Sequence, residues 1–186
     1  MPSHLGRKLL TKAAILHATK QLFEEGGISH VSFDIIAEKA GVSRTTVFNH
    51  FSTMAQLFEA LQMAELDEIL MQCENSKLIG INKIWELFDK LIDDTACYPH
   101  MMTFLTDNLI LSDNAKAVCK MEHLVSKILK EIKLSDDVQF TKDELVVIIF
   151  GQYYGMVNHY HIQDLPFNAR EMKMKFKEII GKIMKL

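Results

Sequence analysis

No stretch of this sequence stays apolar long enough to span a bilayer. A membrane helix needs about 20 consecutive, mostly apolar residues, and the longest block here, Leu145–Phe150, stops at six. Met1–Lys12 has no apolar segment of signal-peptide length, so the protein is expected to stay in the cytoplasm. Cysteine is sparse. Cys73, Cys97 and Cys119 lie far apart, form no Cys-x-x-Cys pair and leave one thiol over in any disulfide scheme. Three reduced, partly buried thiols are expected. Catalytic signatures are missing too: there is no Gly-rich phosphate loop, no Gly-x-Ser-x-Gly and no His-Glu-x-x-His. His159 and His161 are two apart, which on a helix turns them to different faces, so no metal site is expected. Asp93-Asp94 and Asp136-Asp137 read as a solvated helix end and a loop. Neither an enzyme nor a cofactor is expected.

What the chain does have is apolar content, 48% of 186 residues, distributed at helical rather than strand spacing. The net charge of −3 is uneven: residues 1–52 carry +2 and residues 53–186 carry −5. A mildly basic head on an acidic body suits a DNA-binding end, because attraction to phosphate is local and screened within about 10 Å at moderate salt. The pattern predicts helices over Lys8–Glu25, Phe33–Ala40, Arg44–Phe51 and from Thr53 to Cys73. On the first, Ala14, Ile15, Ala18, Leu22 and Phe23 are expected to face inward; on the fourth, Leu57, Phe58, Leu61 and Ala64. Gly26-Gly27 ends the first helix. After a polar connector, helices are expected over Ile81–Ala96, His100–Leu111, Asn114–Ile132, 141–163 and 168–185, with Pro99 interrupting. Thr141-x-x-Glu144 and Asn168-x-x-Glu171 are capping-box patterns, with Phe140/Leu145 and Phe167/Met172 placed as hydrophobic staples. Leu145–Phe150 has strand-like composition, but the cap before it and the apolar run past Gly151 make it helix.

Residues 32–51, SFDIIAEKAGVSRTTVFNHF, have the logic of a helix-turn-helix. Ser32 caps one short helix, and Ile35, Ile36, Ala37 and Ala40 pack it inward. Gly41 permits a sharp turn, Val42 fills its angle, and Ser43 caps the next helix. Val47 and Phe51, four apart, anchor that helix. Arg44, Thr45, Thr46, Asn49 and His50 are left outward, side chains suited to base edges and phosphates.

Around this core, Ile15-Leu16, Ala18-Thr19, Leu22-Phe23, Glu25, Gly27, Ser32, Ile36-Ala37, Ala40-Gly41-Val42-Ser43, Phe48-Asn49-His50-Phe51 and Leu57-Phe58 fall in register. Over residues 13–58 the chain resembles the N-terminal domain of the TetR family of regulators. Three positions depart from the family pattern: Thr45 stands where Gly is usual, Phe48 where Tyr is usual, and Met54 where Lys is usual. The last two remove a hydroxyl and a charge for phosphate, which implies either weaker nonspecific affinity or compensation by Lys8, Lys12 and His50. The resemblance implies an all-α chain with a three-helix DNA-binding domain at 1–52 and a helical effector-binding and dimerisation bundle at 53–186. It implies contact with double-stranded operator DNA through Ser32, Ser43, Arg44, Thr45, Thr46, Asn49 and His50. It further implies a homodimer formed by the last two helices and a small-molecule effector that relieves repression. Gly151 and Gly155, four apart, allow close helix approach. The expected effector lining is Trp85, Phe88, Met101, Phe104, Asn108, Tyr153 and Tyr154, with Met102 beside it and Gln152, Asn158 and His159 as further polar partners. Eleven methionines suit an adaptable interior and an apolar or aromatic ligand. The competing reading is a helical protein-interaction module whose helix-turn-helix is weakened at Phe48 and Met54; a ligand-binding or enzymatic domain with a vestigial head is a third.

Overall fold

The structure, a computed structural model, describes the backbone of residues 4–108 and 115–186 and the side chains of 6–104 and 118–186. Among the described residues the chain is all helix: α1 His4–Gly26, a 3₁₀ turn Ile28–His30, α2 Phe33–Ala40, α3 Arg44–His50, α4 Met54–Asn75, α5 Ile81–Cys97, α6 Pro99–Asn108, α7 Ala115–Glu131, α8 Lys142–Ile162 and α9 Ala169–Met184. No helix among them is long and apolar enough to cross a membrane.

Contacts divide the chain into two compact units, Met1–Glu65 and Leu66–Leu186. The division lies inside α4 instead of at 52/53. Leu57 and Leu61 of that helix are buried, Phe58 meets Phe23 of α1 edge-on at 5.8 Å, and Lys20 pairs with Glu65.

In the first unit α1 packs on α2, and α2 on α3. The core is Ile15, Leu16, Ala18, Leu22 and Phe23 of α1 with Ile36, Ala37, Val47, Phe51, Leu57 and Leu61. Three expected inward residues face solvent: Ala14, Ile35 and Ala64. On α2 the reason is angular. Ile36, Ala37 and Ala40 cluster on one side at about 100° per residue, and that turns Ile35 away; it is 40% exposed. Gly27 and Gly41 both adopt positive φ, 67° and 66°, which a side chain would strain.

In the second unit α5 lies at the centre, packed against α6, α7 and α9, while α8 packs on α6, α7 and α9. Ile84, Leu87, Phe88, Leu91, Ile92 and Thr95 form its buried stripe. The Leu145–Phe150 segment is helical, and its capping box is complete: Thr141 Oγ1 accepts from Glu144 N at 3.2 Å and Thr141 N donates to Glu144 Oε2 at 2.8 Å. The second box is half formed. Asn168 Oδ1 accepts from Glu171 N at 3.1 Å, but the Glu171 carboxylate turns to Lys175 and the Tyr160 hydroxyl. All three cysteines are free thiols; Cys73 is buried, whereas Cys97 and Cys119 are exposed rather than partly buried.

Candidate functional site

The α2–turn–α3 segment is built by two serine caps and one glycine. Ser32 Oγ accepts from Ile35 N at 3.4 Å, and Ser43 Oγ accepts from Thr46 N at 3.1 Å. Between them Gly41 closes α2 in the left-handed region, with its N–H on Glu38 O and the Val42 N–H on Ala37 O. The α3 helix is then fixed from below. Val47 is fully buried and Phe51 nearly so. One arc of the helix is left outward, carrying Arg44, Thr45, Phe48 and Asn49, all exposed; Thr46 and His50 lie half-buried at its edges.

Each predicted side chain has a definite local role. Arg44 Nε sits 3.2 Å from Asp34 Oδ1 of α2, with both side chains 70% exposed. An exposed pair of this kind contributes at most about 1 kcal/mol, so Arg44 can exchange Asp34 for a phosphate or a guanine. Thr46 Oγ1 is 2.8 Å from Ser43 Oγ and belongs to the cap. Thr45 and Asn49 are exposed. His50 is near Lys8 and Lys12 of α1, and Lys12 Nζ lies 5.9 Å from the centre of the Phe51 ring. Desolvation, then the positive charges of Lys8 and Lys12, hold the His50 imidazole below its usual pKa. This gathers Lys8, Lys12 and His50 at the C-terminal end of α3.

Two residues gain a place that residue type alone did not give them. Phe48 counted in the sequence only as a missing hydroxyl. It is 54% exposed in the middle of the outward arc, its ring edge-on to Phe33 at 6.4 Å. Asp34 carried no signal, since nothing in the sequence shows that it meets Arg44.

The residues expected around an effector are partly brought together. Phe88 stacks on Phe176 at 4.7 Å and meets Phe150 and Tyr153 edge-on at 5.2 and 5.9 Å. Tyr153 and Thr95 share a hydroxyl hydrogen bond of 2.8 Å, and burial raises the Tyr153 pKa. Met101 is fully buried; Trp85 is half-buried and edge-on to Phe176. Phe104 and Gln152 are half-buried, and His159 is exposed. The side chain of Asn108 lies outside the described residues. Tyr154 is different. Its hydroxyl is buried with no hydrogen-bond partner among the described residues, as are Asn158 Oδ1 on the same helix and Thr103 Oγ1 on α6. Burial, with Glu122 nearby, pushes the Tyr154 pKa up to about 12.

Two capped helices about a tight glycine turn, the second anchored by its apolar side and open along a hydrogen-bonding one, define a helix-turn-helix. This is an architecture that places a helix in the DNA major groove. Residues 15–61, which span the helix-turn-helix and the helices that flank it, match the family described as bacterial regulatory proteins, tetR family. It is 24% identical over 175 residues to the nucleoid occlusion factor SlmA of Vibrio cholerae, covering 87% of this chain and 89% of that protein. In fold it resembles a transcriptional regulator from Rhodococcus sp. Rha1 at 16% identity, TM-score 0.76, over 94% of this chain and 96% of the other. It also resembles the regulator FadR of Bacillus subtilis, solved in complex with stearoyl-CoA, at 16% identity, TM-score 0.70, over 92% and 98%.

Proposed function

We propose that this protein is a cytoplasmic, homodimeric, sequence-specific repressor that leaves its operator when a small apolar or aromatic ligand binds. The observation that carries the DNA reading is the outward arc of α3. Arg44 and Asn49 are there for bidentate base contact, and Thr45 and Phe48 for a thymine methyl. Ser32, Ser43, Thr46 and His50 are at the edges, for phosphate. The test is selection of duplexes from a random pool, wild type beside Arg44→Ala and Asn49→Ala. Thr46→Ala is a poorer probe, because it also disturbs the cap. A pseudo-palindrome with half-sites about 34 Å apart, lost in both variants, is the expected result. No enrichment at low salt by a folded dimer would overturn it.

The dimer reading is supported by α8, which is apolar on more than one side. Opposite its buried face, Val147, Gly151, Gly155 and Ile162 form an exposed row at helical spacing, Val147 72% and Ile162 74% exposed. A Cβ added at either glycine meets nothing within 4 Å among the described residues of its own chain, which leaves both open to a second copy. Tyr154 and Asn158 border this row. Their unpartnered polar atoms, with that of Thr103, are the best-supported ligand contacts, since a buried unsatisfied group costs about 1–3 kcal/mol. A ligand held there touches α8 beside the subunit interface and can select one dimer geometry over another.

A second reading has its own support. The SlmA proteins match nearly the whole chain and not just the DNA-binding head. In this reading the protein binds DNA and acts through a protein partner, as a nucleoid occlusion factor. Overexpression that blocks cell division, and no longer does so with Arg44→Ala, would favour it over ligand-relieved repression. Normal division with altered transcription near the operator would favour the repressor.

A further inference from the structure

A groove of about 920 Å³ opens on the second unit between the C-terminal half of α4, the start of α5 and the outer face of α7. None of its lining residues belongs to α8, and no reading above uses it. Its lining is apolar at Leu70 and Leu124 and carries three lysines, Lys83 of α5 with Lys120 and Lys127 of α7, beside the hydrogen-bonding ring of His123. Two acids oppose them. Glu74 lines the groove, and Asp67 holds Lys120 at 2.9 Å. Lys83 is half-buried, and neither it nor Lys127 has an ion pair among the described residues. Two lysines that face a groove without a counter-ion favour an anionic occupant.

The charge is also spread out. Lys120 and Lys127 are seven residues apart on one helix, about 10 Å along its axis, with His123 between them and Lys83 across the groove. A single carboxylate reaches only one end of that array; a diphosphate or longer chain reaches several cations at once. We propose that this groove binds a small organic polyphosphate, its phosphates on Lys83, His123 and Lys127 and its apolar part on Leu70 and Leu124. Occupancy fastens α7 to the C-terminal half of α4, the two helices that Lys120 and Asp67 already join. The site does not depend on DNA binding or on an effector near Tyr154.

Cys119 lines the groove and is exposed, Cys97 is exposed elsewhere, and Cys73 is buried. Alkylation of Cys119, measured by peptide mass spectrometry against Cys97 in the same full-length protein, therefore reports occupancy. The probes are pyrophosphate, ADP and decanoate at millimolar concentration and low salt. ADP is expected to slow labelling of Cys119 and not of Cys97, with pyrophosphate weaker because it leaves the leucines uncovered. Lys83→Gln and Lys127→Gln should each weaken ADP about tenfold, the loss of one charge-assisted contact, and Glu74→Gln should tighten it. Melting curves of the variants check that they fold. Protection by decanoate better than by ADP would overturn the polyphosphate assignment. So would no protection by any probe, or protection unchanged in both lysine variants.

Discussion

Arg44 and Asp34 hold each other on the surface that DNA would occupy, and this pairing sets the sign of two substitutions. Where Arg44 gives up Asp34 on reaching DNA, Asp34 is left facing the phosphates as a like charge. Arg44→Ala is expected to weaken operator binding by about 1–3 kcal/mol if it pairs bidentately with guanine. Asp34→Asn, which keeps the shape and removes the charge, is expected to strengthen it. Titration of a labelled operator with both single variants and the double variant measures the coupling; a loss of affinity in Asp34→Asn would show that Asp34 orients Arg44 instead. His50 gives a pH dependence. In the free protein its pKa is below the usual value through desolvation and the neighbouring Lys8 and Lys12, so it is uncharged near neutrality. A phosphate placed on that patch favours the imidazolium, so binding takes up a proton. Affinity should rise as pH falls from 7 through about 6.5, the ordinary histidine value, and His50→Gln should flatten that part of the profile. Stability has the opposite sign: below the unfolded pKa the unfolded chain binds the proton more readily than the fold does, so acid destabilises the free protein.

The element most at odds with its own composition is α8. Leu145–Phe150 is rich in β-branched residues, and the helix is started by the reciprocal Thr141–Glu144 cap. Thr141→Ala is expected to cost about 1 kcal/mol, read as a lower denaturant midpoint for the second unit. The Glu144 pKa is lowered by hydrogen bonds from the Thr141 backbone and hydroxyl. That support is therefore present above the ordinary carboxylate range and is lost as pH falls through the folded value; Thr141→Ala should flatten this acid dependence. Such elements were legible in the sequence because their signals are local. Ser32, Gly41, Ser43 and the Thr141 box each act within four residues, and the helix starts at 33, 44 and 142 follow from them. What depended on distance was not legible. That Ala14 and Ala64 face outward, that α4 belongs half to the first unit, and that Asp34 meets Arg44 are consequences of packing between elements. The sequence places Phe88, Tyr153 and Tyr154 together as aromatics in the body. Only the structure separates the ring enclosed by Phe150 and Phe176 from the hydroxyl left without a partner among the described residues.

At the scale of the whole molecule, the proposed reading of two half-sites needs two copies of α3, and would make DNA recognition depend on a surface far along the chain from the helix that makes it. The exposed row on α8 is the candidate surface, and its glycines allow a test that separates assembly from folding. A Cβ at Gly151 or Gly155 meets nothing within 4 Å among the described residues of its own subunit, although a large side chain there would block close approach of a second α8. Gly155→Leu is therefore expected to leave the helical content and the melting of the subunit little changed, since leucine is also the better helix former by about 0.8–1 kcal/mol. It should still shift the protein from dimer to monomer in sedimentation. Val147→Glu adds a charge to the same row, where a second copy would have to desolvate it, and should act in the same direction. Operator affinity in both variants should become strongly dependent on protein concentration, while contacts to an isolated half-site are kept. A dimer that persists in both would place the interface elsewhere and leave the apolar row on α8 without its partner. A monomer that still binds the full site as tightly as wild type would break the link between assembly and recognition that a two-fold operator requires.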